Sequence, residues 1–164
     1  MAATYEPIAT TTLGSAAASI TFSSIPSTYT DLRLVLVGKV AATNANIIYT
    51  VNGSTTTYSQ TNLYGDGSTV TSDRLSNFDG WYPTQADLGS TTIPSFYTLD
   101  IFSYTGSTNK TALITNSVDQ NGSGQVGRVV SLWRNTAAIT PIALSDSSNF
   151  AIGTTATLYG IKAA

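Results

Sequence analysis

The segment Phe96-Tyr-Thr-Leu-Asp-Ile-Phe-Ser-Tyr104 is a firm strand signal, and the class of fold is argued from it. Tyr97, Leu99 and Ile101 occupy every second position in it, so in an extended chain they share one face. Alternation of this kind is the pattern of a β-strand, because successive side chains of a strand point to opposite sides. We therefore predict a strand over residues 96–104 that turns one face to a core.

The same two-residue period recurs along most of the chain. Ala18, Ile20 and Phe22 alternate with hydroxyl residues. Residues 32–37 are largely apolar on both faces, which predicts a central strand. Further strands are predicted over residues 46–51, 55–63, 110–118, 127–133, 139–144 and 155–161. No stretch keeps the helical spacing of apolar residues beyond two turns.

These segments predict an all-β fold of eight to ten short strands separated by frequent turns. Such spacing is typical of a single antiparallel β-sandwich, and we expect a jelly-roll-like arrangement. No linker or change of composition divides the chain, so one sandwich domain is predicted over residues 1–164.

Local signals refine the expected connections. Asn52-Gly53 is the strongest hairpin pair in the chain, and it predicts that residues 46–51 and 55–63 are partner strands. Pro141 has no N–H to donate to a neighbour, so we predict an edge strand over residues 139–144.

Three segments have distinct expected roles. Residues 1–13 contain Pro7 and predict an N-terminal arm or an edge strand. Residues 155–161 predict a strand inside the sheet. Residues 65–95 contain many Gly, Pro and Asn, and they predict a long loop excursion, with or without one short strand, of the kind that carries recognition on a β scaffold.

The composition removes most catalytic chemistry. The chain has no Cys, no His and a single Glu, so the usual general base, thiol nucleophiles and Cys/His zinc sites are excluded. No nucleophile elbow and no dinucleotide-binding motif occurs. We therefore predict no catalytic residue, no cofactor and no metal site.

The acidic residues do not change this interpretation. Asp73, Asp79 and Asp87 lie in the excursion, but a glycosidase needs two carboxylates at a defined separation, which the sequence does not indicate. Asp66 and Asp146 lie in segments that lack a complete calcium-loop pattern, so Asx turns are predicted there.

The charge pattern narrows the class of partner. Only 10% of the residues are charged, the net charge is −2, and the seven basic residues are scattered in sequence. Binding to nucleic acid through phosphate neutralisation is therefore not expected. No apolar run approaches the roughly 18 residues of a membrane span, and residues 1–7 lack the pattern of a signal peptide. A surface rich in hydroxyls and poor in charge is inexpensive to bury in an assembly.

Three aromatic residues in the excursion or next to it have two open interpretations. Tyr64, Trp81 and Tyr82 either anchor an interface or stack on sugar rings, or they plug one end of the sandwich. Trp133 is predicted to be a core residue, and its neighbour Arg134 is predicted to be a surface or interface charge.

Four segments together resemble one group of proteins. They are Tyr5-Glu-Pro-Ile-Ala-Thr-Thr-Thr-Leu-Gly14, Ile20-Thr-Phe-Ser-Ser-Ile-Pro-Ser-Thr-Tyr-Thr-Asp-Leu32, Ser131-Leu-Trp-Arg-Asn-Thr-Ala-Ala-Ile139 and Thr157-Leu-Tyr-Gly-Ile-Lys162. The chain is similar in them to small β-rich virion proteins of tailed bacteriophages of the cyanophage and marine phage type. The resemblance implies a structural role on the particle, as a capsid cement (decoration) protein or a tail or fibre component. It transfers no site residue.

Two functions are therefore expected from different classes. The first is a capsid cement protein that bridges subunits of the major capsid protein, located in the virion and assembled in the host cytoplasm. The alternative is a tail or fibre module that binds a receptor or glycan beside other tail proteins. By analogy with the resembling proteins, a homotrimer is expected. Tyr5 and Ile8 are interface candidates, because residues 1–10 are expected to extend along a neighbouring subunit.

Overall fold

The computed structural model describes residues 4–42, 46–83 and 90–162, and these residues contain eleven strands and no helix. The strands are β1 (Tyr5–Thr12), β2 (Ala17–Phe22), β3 (Asp31–Gly38), β4 (Ile47–Val51), β5 (Tyr58–Gly65), β6 (Val70–Phe78), β7 (Ser95–Phe102), β8 (Lys110–Asp119), β9 (Gly124–Trp133), β10 (Ile142–Phe150) and β11 (Thr155–Ile161). The predicted all-β class is confirmed. Over the same ranges there is no helix long and apolar enough to cross a membrane.

Two antiparallel sheets of unequal size form the sandwich. The large sheet has eight strands in the order β1-β11-β3-β7-β8-β9-β5-β6, and the small sheet has three in the order β2-β10-β4. The chain passes repeatedly from one sheet to the other, since β2, β4 and β10 each lie between large-sheet strands in sequence. This arrangement confirms the predicted antiparallel β-sandwich.

The core lies between the two sheets and follows from the alternation. Leu32, Leu34 and Leu36 of β3 are each only 1% exposed, and Leu99 of β7 and Leu158 of β11 are fully buried. The predicted central position of β3 is confirmed, because it lies between β11 and β7. The C-terminal strand β11 lies between β1 and β3, so the prediction that it is inside the sheet is also confirmed.

The excursion predicted over residues 65–95, for which one short strand was allowed, contains the nine-residue strand β6 in its first half. This strand, the eleventh, is also why the predicted number of strands was too low. β6 is an edge strand that pairs only with β5, and Leu75 is its single buried residue. A strand held by backbone hydrogen bonds with little burial on either face has no apolar alternation, so the sequence signal was absent.

The turn at Asn52-Gly53 forms as predicted, but the expected strand pairing is wrong. Both residues have positive φ (53° and 66°), and the Ser54 N–H donates to the Val51 carbonyl at 2.9 Å. β4 then pairs with β10 in the small sheet, while β5 joins the large sheet. The Tyr58 hydroxyl accepts from the Val51 N–H at 3.0 Å and holds this corner between the layers. A two-residue turn reverses the direction of the chain, whereas contacts with distant strands determine which strands β4 and β5 pair with.

The edge position predicted from Pro141 is also wrong. β10 begins at Ile142 and is the middle strand of the small sheet, with β2 on one side and β4 on the other. Pro141 immediately precedes the strand, where no ladder N–H is required. Its carbonyl accepts a hydrogen bond from the Asn52 N–H at 3.0 Å.

The N-terminal segment is an edge strand rather than a free arm. β1 pairs along its length with β11 of the same chain, with a shift of register between Pro7 and Ala9. Ile8 is half-buried and packs against the core. The Lys162 ammonium and the Glu6 carboxylate, 2.9 Å apart, form an ion pair beside this edge. The backbone partner expected from a neighbouring subunit is therefore supplied by the chain itself.

A buried lysine ties two loops of the sandwich together. Lys110 is fully buried, and its Nζ donates to the carbonyls of Gly106 (2.6 Å), Thr108 (2.6 Å) and Thr136 (3.1 Å). Burial lowers the pKa of the Lys110 ammonium. Its side chain lies on the inward face of β8 and thereby joins the β7–β8 loop to the β9–β10 loop.

Replacing Lys110 by Met is expected to lower the free energy of unfolding by about 2–4 kcal/mol, because the three carbonyls lose their shared donor. Urea unfolding followed by circular dichroism measures the change. Lys39→Met is the matched control, because the Lys39 side chain has no hydrogen-bond or ion-pair partner among the described residues; it is expected to change stability by less than about 0.5 kcal/mol. Equal midpoints for the two variants would contradict the assigned role of Lys110.

Candidate interaction face

One side of the large sheet has no layer packed against it in the described parts of the chain. We call this side the open face; it comprises the side chains of the eight strands that point away from the small sheet. Its exposed large apolar residues are Tyr5, Val37, Leu63, Val70, Phe96, Phe102, Val126 and Val130, each 41–78% exposed. Large apolar groups that share one exposed surface mark a site of interaction.

The strand register sets these side chains in rows across the sheet. Val37 of β3 lies opposite Phe96 of β7, which lies opposite Ser117 of β8, and Ser117 lies opposite Val126 of β9. The row ends at β6 with Val70. Apolar residues on both faces of a strand are typical of strands that are covered on both sides. The open face thus has the composition of a surface that another layer covers.

At the β1 end of the open face the charges are already neutralised. Arg33 donates to the Asp100 carboxylate through Nε and through Nη2, the latter at 2.9 Å, and this pairing raises the pKa of Arg33. The Arg33 guanidinium lies 5.7 Å from the centre of the Tyr5 ring, which in turn lies 5.4 Å from the Tyr159 ring. These residues form a compact aromatic surface with little net charge.

At the β6 end the open face carries cations without carboxylate partners. A groove of about 270 Å³ runs over β6, β5 and β9, and it is lined by Ser59, Thr61, Arg74, Ser76, Val130 and Arg134. We call it the arginine groove. Arg134 Nη2 donates to Asn77 Oδ1 at 2.5 Å. No acidic residue of the described ranges lines the groove, so its positive charge is not compensated from within it.

The six residues predicted as interface candidates do not come together. Tyr5 and Arg134 lie on the open face, at its opposite ends. Tyr64 is half-buried and lies on the inward side of β5, the side shared with the buried Asn62. Ile8, as described above, packs against the core.

Trp81 is a core residue, so its interpretation as an interface anchor or a sugar-stacking group is wrong. It is fully buried, and its ring meets the Tyr58 ring edge-on at 5.5 Å. Its backbone exchanges two hydrogen bonds of 2.9 Å with Tyr49 of β4. The alternative interpretation, that it plugs the sandwich, is confirmed, and so is the core position predicted for Trp133, which is 1% exposed.

Tyr82, the neighbour of Trp81, is half-buried and holds the same segment to the large sheet. Its N–H donates to Gln60 Oε1 at 2.9 Å, and its carbonyl accepts from Gln60 Nε2 at 3.0 Å. Its hydroxyl donates to Asp79 at 2.9 Å, and burial raises the pKa of Tyr82 to about 12. Residues 81–82 therefore join the two layers, because Trp81 bonds to the small sheet and Tyr82 to the large one.

The acidic residues have structural roles where they are described. Asp66 accepts from the N–H groups of Ser68 and Thr69, which confirms the predicted Asx turn, and the pKa of Asp66 is held far below its usual value by these bonds. Asp146 likewise accepts from the Ser148 N–H at 2.7 Å. Among the described residues, no group of three or more acidic residues lies close enough to hold a metal ion. The position of Asp87 lies outside the described residues.

Sequence reasoning missed the functional grouping of the arginines. Arg74 and Arg134 are sixty positions apart, and along the chain the basic residues are scattered. The groove forms because Thr61 of β5 lies opposite Arg74 of β6 on one side and opposite Val130 of β9 on the other. The only local signal was the alternation Val126, Arg128, Val130, which places one arginine on the same face as two valines.

Comparison with known proteins leaves the family of the chain open. No protein-family model matches it, and no curated protein sequence matches it. A solved structure with some similarity is the galectin LEC-6 of Caenorhabditis elegans, with 14% identity over 88% of this chain and 92% of that chain. The TM-score is 0.36, and a superposition this loose assigns neither a function nor a site. The resemblance to phage virion proteins stays a prediction.

Proposed function

We propose that this chain is a non-enzymatic structural protein of a phage particle, a capsid cement protein that docks on the shell through its open face. The observation that carries the proposal is the row of exposed large apolar side chains on a sheet face that no layer of the described chain covers. The sequence resemblance to virion proteins supports the location. The predicted homotrimer is retained as part of the proposal.

The dimensions of the open face suit a stable interface. Eight strands about 4.8 Å apart span roughly 34 Å, and eight residues of a strand extend about 27 Å. The resulting footprint is on the order of 900 Å², close to the roughly 800 Å² that each partner contributes to a standard protein–protein interface. A cement protein needs such a contact, because it stabilises a shell by adding buried area across the joints between subunits.

The polarity of the open face also favours burial. Its polar residues are mostly Thr and Ser, which need one or two hydrogen bonds when they lose water. Charged groups are more costly to bury unless they are paired, and Arg33 already has Asp100 as its partner. The penalty for removing water from most of this surface is therefore small.

The glycan-binding alternative has less support from the structure than the cement function. The sequence hypothesis placed Trp81 and Tyr82 on sugar rings, but Trp81 is fully buried and Tyr82 is half-buried and bonded to Gln60. Glycan binding is therefore the alternative that a glycan array, used beside the particle-binding test, would detect.

Binding to purified particles of the encoding phage tests the proposal. The wild-type chain is expected to co-sediment with particles, and Val126→Ser combined with Val130→Ser is expected to weaken binding by about tenfold or more, because apolar area at the contact is lost. Ile152→Ser is the matched control, since Ile152 is 65% exposed in the turn after β10 and is not on the open face.

Three results would contradict the proposal. Wild-type protein that is absent from particles would reject the cement role, and equal binding by the two variants would reject the open face as the docking surface. Saturable binding on a glycan array without particle binding would favour the alternative function.

A further inference from the structure

We propose that the arginine groove binds the carboxylates of acidic side chains on the protein against which the open face docks. This inference rests on the proposed function for its partner, and it adds the chemistry by which that partner is recognised. Three lines of observation carry it: the cations, the carboxylates and the shape of the groove.

The cations of this chain are distributed unevenly. Of its seven basic residues, Arg33 and Lys162 are in ion pairs, and Lys110 is bonded to three carbonyls. The side chains of Arg74 and Arg128 have no hydrogen-bond or ion-pair partner among the described residues. Both arginines are exposed on the open face. Arg74 of β6 lines the arginine groove together with Arg134, and Arg128 of β9 lies beside it.

Arg134 and Lys39 complete the set of basic residues. Among the described residues, the side-chain partner of Arg134 is the neutral amide of Asn77, which does not compensate its charge. Lys39 follows β3 and lies away from the groove. Three of the seven basic residues therefore place uncompensated charge at one end of the open face, in a chain whose net charge is −2.

No carboxylate in the described parts of the chain forms an ion pair with these arginines. Each acidic side chain there accepts a hydrogen bond from its own chain; they are Glu6, Asp31, Asp66, Asp73, Asp79, Asp100, Asp119 and Asp146. Four of these bonds, at Asp66, Asp79, Asp119 and Asp146, are contacts with residues two or three positions away, and Glu6 and Asp100 are also in ion pairs. On the proposed function, the complementary negative charge is supplied by the protein against which the open face docks.

The groove has the donors and the apolar floor that a carboxylate site needs. An arginine guanidinium presents paired N–H groups that match the two oxygens of a carboxylate. Ser59, Thr61 and Ser76 add hydroxyl donors between Arg74 and Arg134. Val130, which is 56% exposed, lies on the floor, so a docked protein excludes water and strengthens the charged hydrogen bonds.

Two other classes of ligand fit the groove less well. No aromatic ring from the part of the chain that the structure describes lines it, and a sugar therefore finds no stacking surface there. Three arginines on a chain of net charge −2 do not form the extended basic surface that nucleic acid requires. An acidic protein surface fits both the isolated charge and the apolar surroundings.

The first test measures binding in solution by NMR. The arginine Nε–Hε signals of the ¹⁵N-labelled chain are followed during titration with an alternating Glu-Ser peptide and with the matched Gln-Ser peptide. Saturable shifts of Arg74, Arg128 and Arg134 are expected with the Glu-Ser peptide alone. Arg74→Gln combined with Arg134→Gln is expected to weaken binding about tenfold or more, whereas the control Lys39→Gln is expected to leave it unchanged.

Several outcomes would overturn the inference. It fails if the Glu-Ser peptide causes no saturable shift, or if Lys39→Gln weakens binding as much as the double variant does. Tighter binding of oligogalacturonate or of inorganic phosphate at the same signals would reassign the groove to an acidic glycan or to phosphate groups.

Co-sedimentation with particles separates this inference from the proposed function. If the wild-type chain binds particles and the Arg74→Gln, Arg134→Gln variant binds equally well, the groove inference fails and the cement function stands. If the peptide titration succeeds while the wild-type chain does not bind particles, the groove stands and the cement function fails. Loss of particle binding in the double variant, with Lys39→Gln unaffected, supports both.

Discussion

Replacing Trp81 by Ala is expected to lower the free energy of unfolding by about 3–5 kcal/mol, the range for removing a large aromatic side chain from a core. Trp81 is fully buried between the layers, and its ring contacts the Tyr58 ring. Its removal leaves a cavity beside the pairing with Tyr49 that attaches residues 81–82 to the small sheet. Urea unfolding followed by tryptophan fluorescence from Trp133 and by circular dichroism measures the loss.

Trp81→Phe is the matched control for this prediction. It keeps an aromatic ring against Tyr58 and removes an indole N–H that has no hydrogen-bond partner in the structure. We therefore expect a loss well below that of the Ala variant. If Trp81→Ala unfolds at the wild-type urea concentration, Trp81 is not a core residue, and its role as an exposed recognition group would have to be reconsidered.

Deleting residues 155–164 is expected to abolish folding. This deletion removes β11, which pairs with both β1 and β3, and it takes the fully buried Ala156 and Leu158 from the core. The large sheet then loses its connection to β1, and the backbone groups of β3 that faced β11 are left unpaired. Circular dichroism and the dispersion of the amide NMR spectrum measure the result, which should be that of an unfolded chain.

Deleting residues 2–9 provides the contrast at the other end of the chain. It removes part of the edge strand β1, from which Ile8 packs against the core; β11 loses part of this neighbour but keeps β3, and the pairing of the other strands is unaffected. The shortened protein is expected to remain folded with reduced stability. A dispersed NMR spectrum from the chain lacking residues 155–164, or a collapsed spectrum from the chain lacking residues 2–9, would show that the assigned positions of β11 and β1 are wrong.

The strands with clear alternation were predictable because their signal is local. In β3, β7 and β11 the buried residues recur at every second position, and the burial of the folded chain follows that period. β6 was allowed for only as one short strand, because an edge strand with one buried residue has no such period. The partners of β4 and β10 were assigned wrongly, since a turn or a proline acts on its neighbours and does not choose the sheet.

The candidate site was less predictable than the fold. Arg134 and Tyr5 were predicted as interface candidates, and both lie on the open face. Trp81 was open to two interpretations because an aromatic residue in a Gly- and Pro-rich segment has the same local sequence whether it is buried or exposed. In the folded chain its backbone pairs with Tyr49, thirty-two positions earlier, and this pairing places it in the core.

The all-β class, most of the strands and the sets of residues that share a strand face could be predicted from the residues alone, because these follow from the two-residue period of an extended chain. The folded structure was needed to establish which face of the large sheet is covered and which strands are neighbours. Those choices depend on contacts between distant segments. The pairing of β5 with both β6 and β9 is what places Arg74 and Arg134 beside one groove.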